Sequence, residues 1–303
     1  MVQGSWFVAR GSWLVALAVA VGVLAVMNLG VCQTLPMKRD QMQRLASMPG
    51  HQLRRVRGVL TDIDDTLTTQ GAITADALEA LQRLRDHGLP VYAITGRSMG
   101  WSQPFVRQWP LDAIVAENGA VAMHLEGDEV VTLYAQDAAT RTAGAVRLQQ
   151  VAAQLLREVP GARLAQDSAG RVTDIALDHG EFHQMGPAQI DAAVRLMHAA
   201  GMQASVSSIH INGWFCTHDK LSGARWIVQQ RLGIDLDVER DRWLFVGDST
   251  NDQRMFGHFP LSVGVANLLH FADQLTVWPA YLTATARGAG FAEVADLLLS
   301  ARA

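Results

Sequence analysis

The sequence predicts an α/β protein, a doubly wound Rossmann-like parallel sheet forming a core into which an α+β cap domain is inserted. Three observations carry this. From Val56 onward, short apolar runs alternate with amphipathic segments, the pattern of βαβ units whose strands are covered on both faces. Several of those runs end in acidic or Thr-Gly turns, at the sheet edge where open parallel sheets bind ligands. The alternation breaks off after Glu117-Asn118-Gly119 and resumes only at Asp219.

Taken in order, Val56–Asp64 reads as the first strand. Thr74 can cap a helix that carries Leu78, Leu81 and Leu84 on one face, and Gly88 ends it in the left-handed conformation that glycine tolerates. Leu89–Ile94 and Asp112–Ala116 are the next strands. Ala120–Leu125 and Glu129–Ala135, joined across Gly127-Asp128, read as a hairpin. A long helix over Asp137–Val159, a strand at Arg171–Leu177, a helix from Pro187 to Ala200 and a strand at Met202–Ser208 follow. The βα pattern then returns: a helix from Asp219 to Leu232, strands at Trp243–Val246 and Leu261–Val265, and a last helix near Phe291–Ala301. The expected organisation is a leader (1–37), a basic polar linker (38–55), a core (56–122 and 211–303) and a cap (123–210).

A chain of 303 residues, 49% hydrophobic and 18% charged, is long enough to bury such a core and too apolar to be disordered. A formal charge of −4 provides no basic field, so no nucleic-acid partner is expected. Cys32 and Cys216 offer neither a disulfide framework nor a metal motif, and each reads as a small buried hydrophobe. Trp13–Met27 is an unbroken apolar run. Three readings of the leader stand: a single membrane anchor over residues 11–32, a signal segment, or a stretch upstream of a true start at Met37 or Met42. Arg10 alone precedes the run, whereas Lys38, Arg39, Arg44, Arg54, Arg55 and Arg57 follow it. An anchor would therefore leave the catalytic domain in the cytoplasm, tethered to the membrane.

The strand ends hold the chemistry. The first ends Asp62-Ile63-Asp64-Asp65-Thr66, the second Thr95-Gly96-Arg97, and a late one Gly247-Asp248-Ser249-Thr250-Asn251-Asp252. Carboxylates at i and i+2 leaving a strand point the same way and repel unless a cation or proton holds them. Mg²⁺ prefers a few carboxylates together with water and phosphate, and Asp62, Asp64 and Asp248 supply such a half-shell. Asp65 alternates away from its neighbours and reads as a turn residue.

Asp62–Thr66, Ile94–Arg97, a Lys220 opening a helix after the insert, and Gly247–Asp252 together resemble the four ordered motifs of the haloacid dehalogenase (HAD) phosphatase superfamily. The Glu117–Ala120 turn and the large insert are similar to its C2-capped branch of Cof-like, sucrose-phosphate and mannosyl-phosphoglycerate phosphatases. The resemblance covers residues 56–303. It implies a phosphomonoesterase acting on a small phosphorylated metabolite, a sugar phosphate, through an aspartyl-phosphate. Asp62 would be the nucleophile, and Asp64 the acid and then the base. Thr95, Gly96 and Lys220 would hold the phosphate with Asn251 beside it. Asp62, Asp64, Asp248 and the weaker ligand Asp252 would hold Mg²⁺. Because Asp64 is present, the sequence departs from the dehalogenases of that superfamily, which lack this second carboxylate and the metal, and phosphate is the expected substrate. In the cap, Arg171, Asp174, Ser208, His210 and Asn212 form the polar clusters expected to meet substrate, with His210 and Asn212 on one side of a strand. A phosphomutase of the same fold and a non-catalytic, membrane-tethered binding module are the competing readings.

Overall fold

The computed structural model describes residues 37–303; the leader and its proposed anchor lie outside the described residues. Among the described residues no helix is long and apolar enough to cross a membrane.

In chain order, β1 (Gln43–Arg44) and the short helix α1 (Gly50–Leu53) lead to β2 (Gly58–Thr61), followed by a small hairpin, β3 (Thr68–Thr69) and β4 (Ala72–Ile73). Next come α2 (Ala75–Asp86), β5 (Val91–Ile94), α3 (Met99–Ser102), α4 (Phe105–Gln108), β6 (Ala113–Ala116), β7 (Val121–Glu126) and β8 (Glu129–Tyr134). The cap is α5 (Ala138–Glu158), β9 (Asp174–Asp178), α6 (Pro187–Ala199), β10 (Gln203–Val206) and β11 (His210–Trp214). The chain returns to the core with α7 (Lys220–Leu232), β12 (Trp243–Gly247), α8 (Gln253–His258), β13 (Leu261–Gly264), β14 (Tyr281–Leu282) and α9 (Arg287–Ser300).

The core sheet runs β1-β14-β13-β12-β2-β5-β6-β7-β8, parallel from β1 to β6 and antiparallel at its β7–β8 edge. Strand periodicity explains why it is covered twice. Val59, Val91, Ala93, Leu244 and Val246 face the core layer of α2 and α9, which includes Leu81, Leu84, Phe291 and Leu298. Their neighbours Leu60, Tyr92, Ile94, Trp243 and Phe245 face Leu221, Ala224 and Ile227 of α7 and Met255 and Phe256 of α8. β2 pairs with β5 on one side and β12 on the other, so the strand order reverses beside it, and its carboxyl end opens on the crevice where such sheets bind ligands.

The structure corrects two boundaries. The hairpin assigned to the start of the cap extends the core instead: β7 pairs with β6 in the register Ile114↔Met123, burying Val121–Met123 at the sheet edge. The cap therefore begins at α5, whose N-cap Asp137 accepts from the Thr140 N–H, and it continues through β11, the middle strand of the three-stranded sheet β10-β11-β9. Residues 38–55 are no free linker. Gln43 and Arg44 pair with Tyr281 and Leu282, and Leu45, Met48 and Leu53 are buried in the core. Cys216, expected to be buried, is exposed at a positive φ of 74° on the return from cap to core.

Candidate active site

Asp62 leaves β2 with its N–H bonded to the Val246 carbonyl (2.9 Å), which fixes the turn beside β12. Asp248 follows Gly247, the last residue of β12. Gly247 must be glycine here, since a Cβ would collide with the Asp252 carboxylate packed against it. Asp252 folds back so that its Oδ2 accepts the Asp248 N–H (2.9 Å) and the Ser249 N–H (3.3 Å). Lys220, first residue of α7, reaches Asp62 Oδ1 (2.9 Å) and Asp252 Oδ1 (2.8 Å). A Cβ on either Gly119 or Gly223 would strike the backbone opposite, so only this glycine pair allows α7 to approach the Glu117–Gly119 turn closely enough for that reach.

Asp62, Asp248 and Asp252 offer carboxylate oxygens that all lie within 4.8 Å of one another, and all three residues are buried. Burial raises Asp62 to about 7, with Asp252 and Asp64 adding to the rise and Lys220 opposing it. Burial, reinforced by Asp62 and Asp252, holds Asp248 well above the usual carboxylate range. Burial alone would lower Lys220, but Asp252 and Asp62 outweigh it and keep the ammonium firmly charged. Asp248 Oδ2 accepts from Asn267, whereas its Oδ1 is buried with no partner among the described residues. Close, desolvated carboxylates around one orphaned oxygen fit a hard divalent cation.

The carboxylate of Asp64, expected among the metal ligands, lies outside this cluster. It is held by Arg97, with Nε at 3.0 and 2.9 Å from its two oxygens and Nη2 at 2.7 Å from Oδ1. Arg97 also grips Glu181 of the cap at 2.9 and 2.7 Å and stacks over the Trp101 ring at 4.5 Å. His210 Nε2 lies 3.1 Å from the same Glu181, so it meets a carboxylate rather than open space. Burial opposes ionisation of Glu181, but His210 and Arg97 overcome it and pull the carboxyl down to about 2. Glu181 was invisible in the sequence because it sits in a polar loop without periodicity, and only the fold brings it to Arg97.

Thr95 and Gly96 follow β5. Thr95 is buried, its Oγ1 accepting the Arg97 N–H (3.0 Å), and a Cβ on Gly96 would press on Asn212 and Asn118. The Gly96 carbonyl accepts from both Arg171 (3.0 Å) and Asn212 (3.0 Å), two cap residues. Arg171 and Asp174, expected to touch substrate, are instead bonded to each other (2.8 Å). Arg171 also pairs with Asp167 (2.9 Å) and Asp174 accepts from Asn212 (3.0 Å), with the Arg171 and Asp174 side chains 2% and 0% exposed. They fasten cap to core and leave no surface for a ligand. Glu117 does the same at the hinge, accepting from the Met99, Val172 and Thr173 N–H groups. Ser208 Oγ is buried without a partner, and its carbonyl backs onto Gly180. Asn251 accepts from Ser249 Oγ and lines a cleft that also reaches Lys220. Asp65, as expected, is a turn residue: its φ is 53° and it pairs with Arg287 (2.7 Å).

Two clefts flank this line of residues. One, of about 520 Å³, is lined by Asp64, Arg97, Trp101, Glu181, Phe182 and Arg287 among others. The second, of about 450 Å³, lies on the Lys220 flank, between β10 of the cap and the start of α7.

Residues 59–154 match the family profile of haloacid dehalogenase-like hydrolases. No curated protein matches the chain. Among solved structures, a Thermoplasma acidophilum protein superposes with a TM-score of 0.61 at 16% identity, covering 80% of this chain and 98% of its own. The sucrose-phosphatase of Synechocystis sp. PCC6803, solved with sucrose and phosphate, gives 0.58 at 20% identity over 80% and 98%. The C-terminal domain of the trehalose-6-phosphate phosphatase of C. albicans gives 0.58 at 15% identity over 83% and 95%. The chain thus has the capped, Rossmann-like fold of the HAD-like proteins, and it resembles that superfamily both in this profile and in its four motifs.

Proposed function

We propose that the protein is a Mg²⁺-dependent phosphomonoesterase that hydrolyses a small phosphorylated metabolite, a sugar phosphate, through an aspartyl-phosphate. The observation that carries this reading is the buried contact of Asp62 with Lys220 beside a second carboxylate, Asp64, paired with Arg97, at the switch point of the sheet. The likeness to a sucrose-phosphatase and to a trehalose-6-phosphate phosphatase supports the substrate class.

In the first half, an oxygen of Asp62 attacks phosphorus and the ester P–O bond breaks. Asp64, entering as the acid, gives its proton to the departing alkoxide. In the second half, water attacks the aspartyl-phosphate, Asp64 takes the water's proton, and the P–O bond to Asp62 breaks to release phosphate. Lys220 keeps Asp62 aligned and offsets negative charge on the phosphoryl oxygens, while the Thr95 hydroxyl and the Gly96 N–H donate to one of them. Arg97, shared between Asp64 and the cap's Glu181, positions the Asp64 carboxyl group beside the cap. Asp62, Asp248 and Asp252 would hold Mg²⁺, which when bound supplies charge compensation for the phosphoryl group.

The test is phosphate release by the purified chain from a set of hexose phosphates and 4-nitrophenyl phosphate, with Mg²⁺ and with chelator. Release that requires Mg²⁺ and falls at least about 10³-fold in Asp62→Asn is expected from loss of the nucleophile. A parallel thermal melt should show Mg²⁺ raising Tm in the wild type but not in Asp248→Asn. Release unaffected by Asp62→Asn would refute the reading.

A further inference from the structure

The two clefts differ in how their hydrogen-bonding capacity is spent. On the Asp64 flank, Arg97, Glu181 and Asp64 are bonded to one another, and Asp65 to Arg287. On the Lys220 flank, four buried polar atoms on three residues lining the cleft have no partner among the described residues: Asn118 Nδ2, Ser205 Oγ, and both ring nitrogens of His218. A buried donor or acceptor left unmade costs about 1–3 kcal/mol, so several around one cleft mark a place where a ligand supplies the missing partners.

Each residue has a definite chemistry to offer. Asn118 is 2% exposed and sits at φ 55°, a left-handed conformation that asparagine tolerates, with its own N–H on the Thr95 carbonyl (3.0 Å). This places its amide against the Thr95-Gly96 turn, where a Cβ on Gly96 would lie 3.4 Å from Asn118 Oδ1 and 3.6 Å from Nδ2. A free N–H donor there suits a phosphoryl oxygen. Ser205 stands opposite Asn212 in the β10–β11 register and therefore shares its face, the one turned to the core. Burial lowers His218 to about 4 despite the nearby Asp219, so at neutral pH its ring is uncharged, with one nitrogen donating and one accepting. A neutral imidazole and a hydroxyl pair best with groups that both donate and accept, which are hydroxyls.

We propose that the Lys220-flank cleft seats the ester, with Asn118 donating to a phosphoryl oxygen at its inner end and Ser205 and His218 bonding sugar hydroxyls farther out. This rests on the phosphatase reading and deepens it, assigning the polyol part of the substrate to named side chains.

The test uses three variants of the full chain: Asn118→Gly, which preserves the left-handed backbone, Ser205→Ala and His218→Phe, each checked by its melting temperature. Inorganic phosphate as a competitive inhibitor reads Asn118; its inhibition constant should rise about tenfold in Asn118→Gly and stay put in the other two. The ratio of kcat/KM for the best hexose phosphate to that for 4-nitrophenyl phosphate reads the outer pair. It should fall about tenfold or more in Ser205→Ala and His218→Phe, mainly through KM. Unchanged phosphate inhibition in Asn118→Gly, or equal losses on both esters in the other variants, would overturn the assignment while leaving the phosphatase standing. A wild type that releases phosphate from 4-nitrophenyl phosphate but from no hexose phosphate would overturn the ligand class. A wild type inactive on every ester would instead remove the reading beneath it.

Discussion

Lys220 is the residue on which the site's electrostatics turn. Among the described residues it is the one cation bonded to both Asp62 and Asp252, and all three side chains are at most 4% exposed. Removing one member of a buried ion network leaves uncompensated charge, at about 3–5 kcal/mol. Lys220→Met should therefore lower the unfolding free energy in chelator by an amount on that scale, seen as a lowered urea midpoint, and Mg²⁺ should restore part of it by compensating the same carboxylates. A midpoint unchanged in chelator would mean that the carboxylates there are protonated and need no cation. The acidic residues proposed for catalysis were legible in the sequence because they sit at fixed spacing on strand ends. Their partners were not. Nothing beside Arg97 in the sequence pairs it with Asp64 or Glu181, and Asn267, which links Asp248 to the Asp65 carbonyl, carries no local signal at all.

At the scale of elements, the placement of Lys220 depends on how closely α7 meets the Glu117–Gly119 turn. Gly119 has φ 107°, and a Cβ there would run into the Asp219 carbonyl; a Cβ on Gly223 would run into Gly119. Gly223→Ala is a helix-favouring change that would stabilise an exposed helix by up to about 1 kcal/mol. Here it should destabilise by about 1–3 kcal/mol through overpacking and cut activity as Lys220 is pushed back, measurable as a lowered Tm together with a lowered kcat. A raised Tm would show that the turn yields freely. The strands and helices of the core were readable from periodicity, since each buries a face regardless of where it sits. The allegiance of β7–β8 was not, because a hairpin's own alternation is the same whether it pairs with β6 or starts a cap. Only the Ile114↔Met123 register decides it. The segment 38–55 misled for a related reason: its basic surface residues outnumber Leu45, Met48 and Leu53, which do the packing.

Across residues 37–303, cap and core are joined by a buried polar network rather than by apolar contact alone. Arg171 and Asn212 hold the Gly96 carbonyl, and Glu117 holds Val172 and Thr173. Such a seam is costly to leave half made, which favours a cap that is either seated or released over one that sits loosely. Its titrating member is Asp174, raised to about 7 by burial, with Glu117 adding to the rise and Arg171 opposing it. The fold thus favours the neutral carboxyl. Its stabilising contribution is complete below the ordinary value near 3.8 and is lost as pH rises toward 7. Asp62 and Asp248 titrate in the same sense, so the wild-type slope alone does not isolate the seam. The difference between wild type and Asp174→Asn does, because the acidic cluster is common to both. Unfolding free energies measured in urea from pH 4 to 8 should converge at the acid end. Toward pH 7 they should separate in favour of the asparagine variant, by about 1.4 kcal/mol for each pH unit climbed above the ordinary carboxylate range. Parallel curves would mean that Arg171 keeps Asp174 ionised throughout, and that the seam is an ion pair at every pH at which the protein folds.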